Sequence, residues 1–158
     1  MQRRKQLRLP EFDYSQNGAY FVTICTYERK NLFGDVGTNS ISARMIAQEF
    51  EKTMGAYPGV FSPKYVVMPN HFHAIIQIDR ADMESAPTIM QLVQSFKRRT
   101  TIEYVRLVKR GFVAPFHKHI WQRSFYDHVI RNDRDYQEIW RYIDENPLKW
   151  KLDRFYEE

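Results

Sequence analysis

The alternation of apolar and polar positions divides the chain into seven candidate elements. YFVTICT, Tyr20 to Thr26, has the length and β-branched, aromatic composition of a strand. In SARMIAQEFEKTM, Met45, Ile46, Glu49, Phe50 and Met54 fall near one side of a helix, and Pro58, Gly59 and Pro63 close it. KYVVM and HFHAIIQI flank Pro69 and Asn70, a pair suited to the central positions of a β-turn, so two antiparallel strands are predicted there. Pro87 precedes a long predicted helix from about Thr88 to Val108, and a short extended piece around HIWQRSF follows. A last helix runs from about Asp133 to Glu145; Asn132 or Asp133 caps its start, and Pro147 cannot continue it. The first six elements predict an α+β fold, a ferredoxin-like βαββαβ sandwich with an antiparallel sheet, to which the C-terminal helix is added. In that topology HFHAIIQI is an interior strand, which accounts for its apolar character.

Length and composition narrow this picture. A chain of 158 residues is expected to form a single domain with one core, residues 1–15 being a basic arm and 148–158 a tail. Apolar residues at 43%, a third of them aromatic, exclude a disordered chain. No apolar run approaches the ~20 residues that span a membrane, so no membrane partner is expected. MQRRKQLRLPEF lacks the apolar stretch of a secretory signal. Cys25 is the single cysteine and has no disulfide partner, which fits a reducing, cytoplasmic setting. The net charge of +5 is modest, but its distribution is uneven. Arg3, Arg4, Lys5 and Arg8 cluster at the start; Lys97, Arg98, Arg99, Arg106, Lys109 and Arg110 cluster later, with Glu103 opposing them. Such runs are either solvated helix faces or tracks for phosphates.

The chemistry begins in VVMPNHFHAIIQI. Side chains alternate along a strand, so His71, His73 and Ile75 share one face. Two imidazoles roughly 6 to 7 Å apart at Cα can reach one metal ion. The same spacing also occurs in hydrogen-bonded or half-exposed histidines, and a third ligand must come from elsewhere. A histidine-triad hydrolase would need His where Ile75 stands, and a two-histidine phosphoesterase would need Ser or Thr two residues after each histidine, which Ala74 and Ile75 do not supply. His117 and His119 repeat the spacing in FHKHIW, where they read as surface or loop residues.

In the last helix Tyr136, Ile139, Trp140 and Ile143 form an apolar stripe expected to face the core. Tyr142 points about 110° from the middle of that stripe, and Asn146 stands one turn further along the same flank. Alone, they read as a boundary tyrosine beside a C-terminal Asn. Taken with the histidine pair, they are parts of a metal-assisted phosphoryl transfer with a tyrosine nucleophile. A covalent intermediate conserves the phosphodiester energy for rejoining, which suits an enzyme that moves DNA better than a simple nuclease.

MPNHFHAII resembles the His-hydrophobe-His (HUH) motif of single-tyrosine transposases, and WQRSFYDHVIRNDRDYQEIWRYIDENPLKW resembles the C-terminal signature of the REP-associated tyrosine transposases, in the IS200-like superfamily. The likeness runs from YFVTICTYERKNLFG to NPLKW. It implies that Tyr142, in YIDENP, is the catalytic tyrosine, with His71 and His73 holding Mg2+ or Mn2+. Relatives place Gln four residues after the tyrosine as a third ligand; here Asn146 stands there, one methylene shorter, and either ligates or orients. The implied partner is single-stranded DNA folded into palindromic hairpins, cleaved and rejoined through a covalent 5′-phosphotyrosine, by a monomer or a homodimer and with no small-molecule cofactor. Tyr126 is the competing nucleophile. Arg3, Arg4, Lys5, Lys97, Arg98 and Arg99 are the expected phosphate contacts. Of Phe96, Tyr104, Phe112, Trp121, Phe125 and Tyr126, fewer than half are expected to meet bases. His128 is assigned only a packing or salt-bridge role. A binding module that keeps hairpin recognition without catalysis is the alternative; a zinc hydrolase is the third class, disfavoured because no third His, Asp or Glu has an interpretable spacing.

Overall fold

The computed structural model describes residues 18–35, 39–80 and 86–150. Four strands, β1 (Gly18–Cys25), β2 (Val60–Met68), β3 (His71–Ile78) and β4 (Tyr126–Ile130), form one antiparallel sheet in the order β2-β3-β1-β4. Helices α1 (Ile41–Gly55) and α2 (Ile89–Lys109) follow β1 and β3, and α3 (Asp133–Glu145) follows β4. The ferredoxin-like α+β topology read from the sequence is the one observed, with β3 interior as expected.

Local chemistry sets the helix starts. Ser40 Oγ accepts from the Ala43 N–H at 3.0 Å at the head of α1. Thr88 and Gln91 form a reciprocal capping box on α2, with Pro87 just outside it. Of the two candidate caps on α3, Asn132 is the one used, accepting from the Asp135 N–H at 2.8 Å.

Strand alternation divides the sheet into two unlike faces. Tyr20, Val22 and Ile24 of β1, with Phe72, Ala74 and Ile76 of β3, are buried in the main core. Phe50 of α1 meets Phe72 at 4.7 Å between ring centroids, and Phe96 of α2 meets Phe72 at 4.9 Å and Trp121 at 5.6 Å. The opposite face carries His71 and His73, in register with Cys25 and Thr23 of β1 and with Met68 and Val66 of β2. Helix α3 lies against β2 and β3 on this second face.

Two sequence expectations shift. The last strand is Tyr126–Ile130, not the preceding HIWQRSF, which contributes one isolated bridge between Trp121 and Thr26. The cause is visible in the side chains: the Trp121 indole turns inward and donates to Thr100 Oγ1 at 2.9 Å, while Lys97 draws in the carbonyls of residues 122–124. The apolar stripe of α3 is also less buried than expected. Ile143 is fully buried, Tyr136 and Ile139 are half-buried, and Trp140 is 37% exposed. Polar contacts supplement this seat: Tyr136 donates to Gln77 Oε1 at 3.0 Å, and Lys64 pairs with Asp144 at 2.6 Å beneath the Trp140 ring.

Candidate active site

The sequence MPNHFH places a tight turn immediately before β3, and this turn orients the first imidazole. The Asn70 carbonyl accepts from the Thr26 N–H at 3.0 Å and from Thr26 Oγ1 at 3.1 Å, while its Nδ2 donates to the Arg29 carbonyl at 3.4 Å. The amide oxygen is thereby turned to His71, whose Nδ1 lies 2.8 Å away. His73 Nδ1 lies 2.9 Å from Thr23 Oγ1 on the neighbouring strand. With both Nδ1 atoms engaged by oxygens, Nε2 is the nitrogen each ring can offer to a metal.

Both histidines are completely buried, and their ring centroids are 4.5 Å apart at 71°. Phe21 stacks on His73 at 5.4 Å, and Trp150 stacks on His71 at 6.0 Å. Tyr142 stands edge-on to His73 at 5.2 Å and to Phe21 at 6.0 Å, yet remains 40% exposed. The helix thus brings a phenol from sixty-nine positions downstream against the imidazole pair while leaving it open to solvent.

Asn146 occupies the C-cap of α3 and is 4% exposed. Its Nδ2 donates to the Tyr142 carbonyl at 3.2 Å, and its Oδ1 is buried with no hydrogen bond among the described residues. A buried amide oxygen lacking a donor is costly unless something else satisfies it, and a cation would do so. Two imidazoles and an amide oxygen are a donor set that fits a divalent ion. Among the described residues no group of three His, Cys, Asp or Glu could hold one, so an all-ionisable site is not available there.

Tyr126 lies at the head of β4 opposite Thr23, on the histidine-bearing face, but makes no ring contact with either histidine among the described residues. The other candidates are placed as follows. His117 and His119 are exposed loop residues, as expected, with their rings beside Tyr27. His128 pairs with Asp135 at 2.7 Å, tying β4 to the first turn of α3. Arg98 is exposed and Arg99 half-buried on α2, across the sheet from the histidines.

Lys97 departs from the expected phosphate track. It is 9% exposed, and its Nζ donates to the carbonyls of Gln122, Arg123 and Ser124 at 2.8, 3.2 and 3.3 Å. Burial pushes its pKa down to about 8, offset in part by the nearby Cys25 thiol. Arg3, Arg4 and Lys5 lie outside the described residues. Of the six candidate aromatics, Phe96, Tyr104, Trp121 and Phe125 are core, leaving Phe112 and Tyr126 accessible. Sequence reasoning missed Thr23, Phe21, Asn70 and Trp150. A threonine inside an apolar strand was the available signal for Thr23, but its partner depends on register.

The family model of the IS200-like transposases matches residues 15–146, which include every element just described. The chain belongs to the IS200-like transposase family. A protein of uncharacterised function from Haemophilus influenzae is 30% identical over 167 residues, covering 97% of this chain and 93% of that protein. A second Haemophilus influenzae protein, provisionally named a REP-associated tyrosine transposase, is 30% identical over 138 residues, 87% of this chain and 74% of that one. The fold also matches the solved structure of a REP-associated tyrosine transposase bound to a REP hairpin, with a TM-score of 0.64 at 22% identity, covering 94% of this chain and 77% of that chain.

Proposed function

We propose that this transposase nicks and rejoins single-stranded DNA at palindromic hairpins of the REP type, using Tyr142 as the nucleophile. The observation that carries the reading is the edge-on approach of the half-exposed Tyr142 ring to buried His73. In the forward step the Tyr142 oxygen bonds to the scissile phosphorus and gives up its proton, while the bond to the 3′-oxygen breaks and that oxygen leaves as a hydroxyl. The DNA 5′-phosphate is then held on the protein, and attack by a 3′-hydroxyl reverses the step and regenerates the phenol.

His71 and His73 would hold a divalent ion through Nε2, with Asn146 Oδ1 as the third protein donor. Such an ion neutralises charge on the phosphate oxygens and polarises the phosphorus. Imidazole and amide donors together suit manganese at least as well as magnesium, which prefers an all-oxygen shell. The chain's own residues do the rest: Asn70 and Thr23 fix the imidazoles, Phe21 and Trp150 flank them, and α3 presents the phenol.

The test is cleavage of a hairpin oligonucleotide from inverted repeats flanking the gene, in magnesium or manganese. His71→Ala and His73→Ala should each lower cleavage at least a hundredfold while hairpin affinity stays within a fewfold, about the cost of losing a metal's contribution. Equal loss of binding and cleavage would mean that the histidines hold the core or touch DNA instead.

A further inference from the structure

At the end of the sheet where β1 meets the turn before β3, the chain continues from Thr26 into Tyr27. The Tyr27 N–H donates to the Ile120 carbonyl at 2.9 Å, and the Gln122 N–H donates to the Cys25 carbonyl at 2.9 Å. These bonds clip the 116–123 loop to the strand that neighbours His71. Between this loop and α2 lies an open groove of about 580 Å³, lined in part by Tyr27, Gln94, Lys118, His119, Trp121 and Arg123. Among the described residues, none that line it is a carboxylate.

Three features make this groove specific in its chemistry. The Tyr27 ring is half-exposed and meets the exposed His119 ring at 5.1 Å and 80°, with His117 at 6.4 Å behind it. Lys118 and Arg123 are exposed at the rim, and neither forms an ion pair among the described residues. The rim is also held in place, because Lys97 beneath it donates to three successive carbonyls including that of Arg123. An aromatic wall with two solvent-facing cations, and no carboxylate among the described lining residues, matches a base and its phosphate. An acidic peptide would leave the aromatic wall unused, and a free phosphate would leave most of the volume unfilled.

We infer that this groove is a second DNA subsite, which takes one unpaired nucleotide with its base against Tyr27 and His119 and its phosphate on Lys118 and Arg123. The inference rests on the single-stranded DNA reading above, but on neither Tyr142 nor the histidine pair on β3. The groove opens at the sheet end that carries His71, on the α2 side, so a strand leaving the candidate active site would reach it by passing around that end. Its role would be to hold single-stranded DNA beside the cleavage point without reading sequence.

The experiment uses the full chain and a fluorescein-labelled dT 15-mer, with and without one 5-iodo-deoxyuridine. Irradiation should cross-link the substituted oligonucleotide to the peptide containing Tyr27 or the one containing His119. The double variant Lys118→Asn/Arg123→Gln, with Asn chosen because residue 118 has φ +63°, should bind the dT 15-mer about tenfold more weakly. Its salt dependence should fall by about 0.7 in log–log slope, that of one lost single-strand phosphate contact. Thermal melting of the variant should match wild type. Cross-links that fall only elsewhere, or an unchanged affinity in a folded double variant, would overturn the subsite. A Tyr142→Phe protein should retain both the cross-link and the affinity, so a failed nucleophile assignment and a failed subsite give different results.

Discussion

At the scale of single residues, two imidazoles are held by oxygens on their Nδ1 atoms. Asn70 Oδ1 and Thr23 Oγ1 each face an Nδ1, and in both cases a protonated Nδ1 leaves the Nε2 lone pair for a ligand. Outer partners of metal-ligating histidines commonly contribute tenfold to a hundredfold in metal affinity. Asn70→Ala and Thr23→Val should therefore weaken manganese binding by about 10- to 100-fold, measured by calorimetry or by Mn2+ paramagnetic resonance, with the sheet intact by circular dichroism. Wild-type affinity in both variants would mean that strand packing alone orients the rings. Neither partner was legible from sequence: Asn70 read as a turn residue, and Thr23 acquires its role only because β1 pairs with β3 in the register Thr23 to His73. His71 and His73 were legible because a strand's period of two is independent of its neighbours.

At the scale of elements, the helices were read closely because their caps are local chemistry, and α1, α2 and α3 begin within a residue or two of the expected positions. The fourth strand was misplaced because HIWQRSF has strand composition but loses its carbonyls to Lys97, a contact spanning 25 to 27 positions. That clamp has a pH signature. The folded-state pKa of about 8 is below the ordinary value of 10.5, so the unfolded chain binds more protons between these limits and stability rises with pH across them. The contribution is fully present above pH 10.5 and lost as pH falls through 8. Denaturant unfolding from pH 7.5 to 10.5 should show wild type gaining stability relative to Lys97→Met. Parallel profiles would indicate that the three carbonyl acceptors keep the ammonium at its ordinary pKa. Helix α3 differs from α2 in its seating: Ile143 is its one buried apolar residue, and much of its attachment is polar. A lightly seated helix leaves Tyr142 half-exposed, as the proposed nucleophile must be to admit DNA.

At the scale of the whole molecule, the sheet has one face closed by α1 and α2 over an aromatic core and another that carries the candidate chemistry. This division explains how β3 can be a core strand and also carry the candidate site: Phe72, Ala74 and Ile76 serve the first face, and His71 and His73 the second. The topology and both halves of the candidate site were legible because they rest on periodicity and on motifs in order. The cationic surface was less so, since charge runs do not tell which lysine is buried, and Lys97 proved to be an internal clamp. In the proposed reaction Tyr142 carries the DNA. A 5′-labelled or 3′-labelled hairpin oligonucleotide incubated with protein and manganese should give an adduct that survives SDS and retains the label 3′ to the cut. This adduct should form in wild type and in Tyr126→Phe and disappear in Tyr142→Phe; an adduct that persists in Tyr142→Phe and is lost in Tyr126→Phe would contradict the account.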